Sequence, residues 1–131
     1  MGRCVLALED GLTFEGKSFG ADANAGGEVV FHTSPFGYQE ILTDPSYVGQ
    51  IVTMAAVEMG NVGTNLLDEE SVGPRVAGMI VREYSDVPSN WRSSATLGEW
   101  LSKAGVPGIF GIDTRKLVRH LRTHGSKRGV L

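Results

Sequence analysis

Two short apolar runs, separated by a polar connection that a proline interrupts, constrain this chain more than any other feature. Residues 28–32, Glu-Val-Val-Phe-His, and residues 50–55, Gln-Ile-Val-Thr-Met-Ala, are rich in β-branched and apolar side chains. Such composition fits buried strands. The connection leaves room for one short helical turn over residues 38–42, because Pro45 disfavours the α conformation at Asp44. Asp44-Pro45-Ser46 then starts a fresh turn, with Asp44 placed to cap it and Pro45 suited to its first position. Gln39, Glu40, Thr43, Asp44 and Ser46 are therefore expected together on a surface loop, where binding residues concentrate. The plainer alternative is a solvated connection held by a local side-chain cap.

The rest of the chain repeats the short-strand theme. An apolar run over residues 4–8 precedes Glu9-Asp10-Gly11, and Asp-Gly is a strong hairpin signal. Residues 12–17 alternate apolar and polar, so the first two strands should pair antiparallel. Residues 76–81 and 108–112 read as further buried strands, and residues 129–131 as the start of another. The 18 glycines fit many tight turns and a strand-rich mixed α/β fold. Gly60-Asn61-Val62-Gly63-Thr64-Asn65 suggests positive φ or close backbone approach. Residues 66–73 are acidic, and residues 86–95 read as a polar loop that Trp91 anchors.

Two helices stand out. Thr96 and Glu99 have capping-box spacing, and Leu97, Trp100, Leu101 and Ala104 share one helical face. Gly105 and Pro107 stop that helix. Asp113 can cap a last helix, Thr114–His124, with Leu117, Val118 and Leu121 as its apolar positions, and Gly125 ends it.

Length and charge narrow the classes. At 131 residues, 41% of them hydrophobic, the chain is one domain with a proper core. A net charge of −3 argues against a general nucleic-acid binder. No apolar run approaches the roughly 20 residues of a membrane span. The run over residues 4–8 is too short for a signal peptide, so no leader is expected. Cys4 is the only cysteine, which excludes an internal disulfide and fits a reducing cytoplasm. It reads as a small core residue rather than a nucleophile.

No phosphate-binding glycine loop has the required spacing. His120 and His124 stand at i, i+4, but without a carboxylate or cysteine at ligand spacing, and with Arg119 and Arg122 beside them. They are expected to complement the helix dipole rather than hold a metal. Ser46 has no predictable base, and no nucleophile elbow occurs. The residues alone therefore do not make a self-sufficient enzyme. Arg115, Lys116, Arg119, Arg122, Lys127 and Arg128 are six of the 12 basic residues. That face reads as a solvated helix surface or as a contact for RNA or an acidic partner. A stand-alone interaction module using helix 114–124 is thus the rival to any enzymatic role.

Four ordered motifs bring a resemblance over essentially the whole chain. Gly27-Glu28-Val29-Val30-Phe31, the run from Gly37 through Thr43-Asp44-Pro45-Ser46-Tyr47, Gly60-Asn61-Val62-Gly63-Thr64-Asn65 and Ile112-Asp113-Thr114-Arg115-Lys116-Leu117 resemble the small, glutamine-hydrolysing subunit of carbamoyl-phosphate synthase. His32, Pro35 and Phe36 depart from the Asn, Met and Thr frequent in bacterial relatives, and Val57-Glu58-Met59 from Pro-His-Ile. The resemblance implies that residues 1–131 are the N-terminal domain, a swivelling β/β/α fold, without the C-terminal glutaminase domain and its Cys-His-Glu triad. It implies glutamine hydrolysis in that other domain and ammonia delivery to a large subunit. The large subunit uses ATP, divalent metal and bicarbonate to make carbamoyl phosphate for arginine and pyrimidine synthesis. The expected partners are the glutaminase domain, the large subunit and glutamine, with no cofactor, nucleic acid or membrane bound by this chain. The serine of the Thr-Asp-Pro-Ser-Tyr block contributes to the family's glutamine site, which places that role on Ser46.

Overall fold

Hydrogen bonding between strands closes the sheet into a ring. The computed structural model describes residues 2–33, 38–55, 73–84 and 97–131. Among them are β1 (Arg3–Leu8), β2 (Thr13–Gly20), β3 (Gly26–His32), α1 (Tyr38–Thr43), a 3-10 turn (Pro45–Tyr47), β4 (Gln50–Met54), β5 (Gly78–Val81), α2 (Leu97–Lys103), β6 (Pro107–Phe110), α3 (Thr114–His124) and β7 (Lys127–Val130). The strand order round the barrel is β1-β2-β6-β5-β4-β3-β7. This is a strand-rich mixed α/β domain.

The β1–β2 hairpin forms as expected, with Arg3 opposite Lys17 and Ala7 opposite Thr13. Asp10 shapes the turn by accepting from the Leu12 N–H at 3.2 Å. β3, β4, β5 and β6 run parallel to one another, β2 pairs antiparallel with β6, and β7 closes the ring antiparallel to β1 and β3. Alternation along the strands then sorts the apolar side chains. Leu6, Phe14, Val29, Ile51, Ile80 and Ile109, one from each of six strands, meet in one buried cluster with Leu117 and Leu121 of α3. Val52, Met54, Met79 and Val81 point the other way, into a second cluster with Leu42 of α1 and Leu97, Trp100 and Leu101 of α2. β4 and β5 are thus buried on both faces, which is why they read as unbroken apolar runs.

Several boundaries differ from the sequence reading. β5 takes only Gly78–Val81 of residues 76–81; Val76 is buried in the outer cluster before the strand starts. β6 stops at Phe110 instead of residue 112, because Ile112 leaves the sheet to join the inner cluster with α3. β7 begins at Lys127, before residue 129, since Lys127 and Arg128 already pair with Val29 and Glu28. Ala104 is exposed and lies beyond α2. There Gly105 donates to the Ser102 carbonyl and Val106 to that of Leu101, with Gly105 at φ 74°. This paired-bond glycine stop ends the helix one residue too early for Ala104 to join its apolar face. Asp113 caps α3 as expected, accepting from the Lys116 N–H at 3.0 Å.

The motif at residues 60–65, the acidic stretch 66–73 up to residue 72, the loop with Trp91, and the Thr96 cap lie outside the described residues. Among the described residues no helix is long and apolar enough to cross a membrane.

Gly27 shows how tightly β3 approaches the connection. A Cβ there would stand 2.1 Å from the Gly49 carbonyl oxygen, a backbone atom that no rotamer change can move. Gly27→Ala is expected to destabilise the domain by about 1–3 kcal/mol, the usual range for overpacking. Chemical denaturation of the two proteins checks it.

Candidate functional site

The connection between β3 and β4 is built from the inside out. Leu42 of α1 is fully buried in the outer cluster, and Ile41 packs against it. The Leu42 carbonyl accepts from the Arg75 N–H at 2.7 Å, tying the end of α1 to the segment entering β5. Asp44 follows with extended backbone (φ −67°, ψ 124°) and caps the 3-10 turn. Its Oδ1 accepts from the Ser46 N–H at 2.9 Å. Within the turn, Tyr47 N–H donates to the Asp44 carbonyl and Val48 N–H to that of Pro45, at 3.0 and 3.2 Å.

Tyr47 is the anchor. Its ring packs against the outer core, and its hydroxyl is hydrogen-bonded to His32 Nε2 at the end of β3. The two rings meet edge to face, 5.5 Å between centroids. The partner of Tyr47 has no sequence signal, because the two residues belong to different elements. His32 is thus the residue at the end of β3 that ties the turn to the sheet.

Glu40, Asp44 and Ser46 are exposed as expected, Thr43 is half-buried, and the Gln39 side chain lies outside the described residues. The cap is Asp44, not Ser46. Ser46 is a donor to it through both backbone N–H and hydroxyl, and these bonds, the backbone one foremost, hold the Asp44 carboxyl below its usual range. Ser46 therefore stands fixed by its neighbour on the outside of a rigid turn. A hydroxyl that donates one bond keeps its oxygen lone pairs, so it can still accept from a ligand N–H.

The other candidates separate from this site. Cys4 is half-buried, and burial pushes its thiol above the usual range, which disfavours the thiolate needed in a nucleophile. His120 and His124 stack at 4.7 Å between centroids. His120 does not serve the helix end; its Nε2 meets Asp10 Oδ2 at 2.6 Å. The fold supplies this carboxylate from the β1–β2 turn, a partner that lies 110 positions away and so left no sequence signal. Among the described residues no group of three or more His, Cys, Asp or Glu is placed to hold a metal ion.

Two outcomes follow from this geometry. Tyr47→Phe removes the bond to His32 and is expected to cost about 0.5–1.5 kcal/mol, read by denaturant melts. The Asp10 carboxyl is held below its usual range chiefly by the His120 hydrogen bond, then by the Leu12 N–H. A depressed carboxylate contributes stability above its unfolded-state pKa and loses it as pH falls through the lower folded value. Asp10→Asn should therefore lower Tm at neutral pH and flatten the decline of Tm on the acid side. Thermal melts across that acidic window check the difference.

Comparison with known proteins now adds a family. The model of the carbamoyl-phosphate synthase small chain, CPSase domain, matches residues 6–131. The chain is 55% identical over 129 residues to the carbamoyl phosphate synthase small chain of Solidesulfovibrio magneticus, covering 98% of this chain and 34% of that protein. To the small chain of Rhodopirellula baltica it is 56% identical over 126 residues, 96% of this chain and 32% of that one. The pyrimidine-specific small chain of Halalkalibacterium halodurans is 53% identical over 126 residues, 96% and 35% of the two chains. The chain thus spans about a third of the length of these curated relatives.

Proposed function

The chain belongs to the family of the carbamoyl-phosphate synthase small chain, and on that premise we propose that residues 1–131 form the N-terminal domain of a glutamine-hydrolysing subunit. The hydrolytic Cys-His-Glu triad belongs to a C-terminal glutaminase domain of the same subunit. Ammonia released there passes to a large subunit, which uses ATP, divalent metal and bicarbonate to make carbamoyl phosphate for arginine and pyrimidine synthesis. The partners of this domain are the glutaminase domain, the large subunit and glutamine. It carries no cofactor of its own, binds neither nucleic acid nor membrane, and works in the cytoplasm. The swivelling β/β/α fold is the architectural side of the same reading, supported by a strand-rich barrel with helices packed on it.

One observation carries the reading: identity above one half runs over nearly the whole chain. The exposed, capped Ser46 turn gives it a residue. Ser46 accepts a hydrogen bond from glutamine held in the neighbouring domain. Its N–H is taken by Asp44, so the hydroxyl oxygen is the group the turn leaves for a ligand. A bond of this kind contributes about 0.5–1.5 kcal/mol, or about 1.5–3 kcal/mol to a charged group such as an ammonium.

The test uses the full subunit carrying Ser46→Ala. Its kcat/KM for glutamine should fall about tenfold, up to about 100-fold if the partner is charged. Tm should barely change, since a surface hydroxyl is removed. Normal glutamine kinetics in a folded Ser46→Ala subunit would exclude the side chain. Ser46→Pro is a poor companion here, because losing the N–H also breaks the Asp44 cap. Residues 1–131 by themselves should release no ammonia from glutamine; steady release that survives Cys4→Ala would make the domain an enzyme in its own right.

A further inference from the structure

The backbone donors of the 3-10 turn are spent inside the turn. Pro45 has no N–H, Ser46 N–H goes to Asp44 Oδ1, Tyr47 N–H to the Asp44 carbonyl and Val48 N–H to the Pro45 carbonyl. The Asp44 carboxylate keeps lone pairs beyond that first bond, and the Ser46 hydroxyl takes one of them. An ionised carboxylate only accepts. The hydroxyl is therefore the donor, and its single proton points at Asp44. What Ser46 keeps for a ligand is lone pairs alone.

Asp44 contributes a charge as well as a direction. Its carboxyl is held below the usual range by the Ser46 N–H first and the Ser46 hydroxyl second, so it stays ionised at neutral pH. Among the described residues no cation is ion-paired with it. Asp44 and Ser46 are both exposed. A hydroxyl bonded to an anion is also a better acceptor, because each bond in a chain polarises the next. The turn thus presents an acceptor backed by a negative charge. Glutamine has acceptors in its α-carboxylate and its carboxamide oxygen. Either would find no proton on Ser46 and would meet the Asp44 charge. The carboxamide nitrogen donates but is neutral. The α-ammonium group both donates and carries the opposite charge.

We infer that Asp44 is a positioning residue for glutamine: it fixes the Ser46 hydroxyl as an acceptor and turns it towards the α-ammonium group. The inference rests on the reading of Ser46 as a glutamine contact, and adds to it the group contacted and the residue that selects that group. Asp44 acts through Ser46 and through its charge; the contact with substrate is made by Ser46.

The experiment uses the full subunit carrying Asp44→Asn. Asparagine caps a turn about as well as aspartate, and its carbonyl oxygen can still accept from Ser46, so the turn is kept while the charge is lost. Asp44→Ser, another neutral cap, takes its place should the asparagine variant fail to fold. The KM for glutamine should rise about fivefold with kcat unchanged, the difference between a charge-assisted and a neutral hydrogen bond. Tm should barely change. The inhibition constant of the glutamine analogue lacking the α-amino group should not rise. A rise in KM that this analogue shares in full makes Asp44 a structural cap only and overturns the inference. A KM that falls also overturns it, because loss of a like charge would help only if the α-carboxylate faced Ser46. An unchanged KM in a folded variant does the same. Ser46→Ala separates the two levels of the argument. Normal glutamine kinetics in that variant overturn both the Ser46 contact and the role of Asp44. Impaired kinetics there, with the Asp44 variants unaffected, overturn the role of Asp44 alone.

Discussion

Everything else in this domain depends on closure of the barrel by β7. All four of its residues pair with β3 and two of them, Gly129 and Val130, also with β1, so that Ala7 and Gly26 face Val130 from opposite sides. Without β7 both strands would present a row of unpaired N–H and C=O groups, the usual liability of a sheet edge. The fit at the seam is close. A Cβ on Gly129 would stand 2.9 Å from Val29 and 3.1 Å from Leu8, both inner-core side chains. The ring closes because the residue at this point has no side chain to place inside it.

Closure also decides where the Ser46 turn can be built. β3 and β4 lie side by side and parallel, so the chain must travel back along the barrel between them. It does so over the outer cluster, burying Leu42 and the Tyr47 ring on the way. The polar residues of the connection are left on the far side. Asp44, its Ser46 N–H bond and the Tyr47–His32 contact together tie residues 44–47 to the sheet.

α3 has a related division of labour. Its apolar seam seals the inner cluster through Leu117 and Leu121. Its polar residues reach the barrel too: Lys116 lies over Phe14, His120 meets Asp10 and Arg122 lies over Phe31. One short motif, Ile112 to Leu117, therefore serves core, cap and surface in turn: Ile112 and Leu117 are buried together, Asp113 caps, and Arg115 is exposed.

The sequence by itself determined most of the local structure. The Asp-Gly hairpin, the Pro45 stop, the Asp44 and Asp113 caps and the extent of α3 follow from residues within a few positions of one another, whose preferences act over that range. The periodicity of Ile51 to Met54 also gave the strand but not its two destinations, since a run buried on both faces carries no alternation to read. What only the tertiary structure decided is who meets whom across the chain. His32 finds Tyr47, Asp10 finds His120, Gly27 faces Gly49, and β7 inserts between β1 and β3. These contacts are set by closure of the ring, which brings distant segments together through backbone hydrogen bonds that are nearly the same for every residue type and so leave no mark in the sequence of either partner.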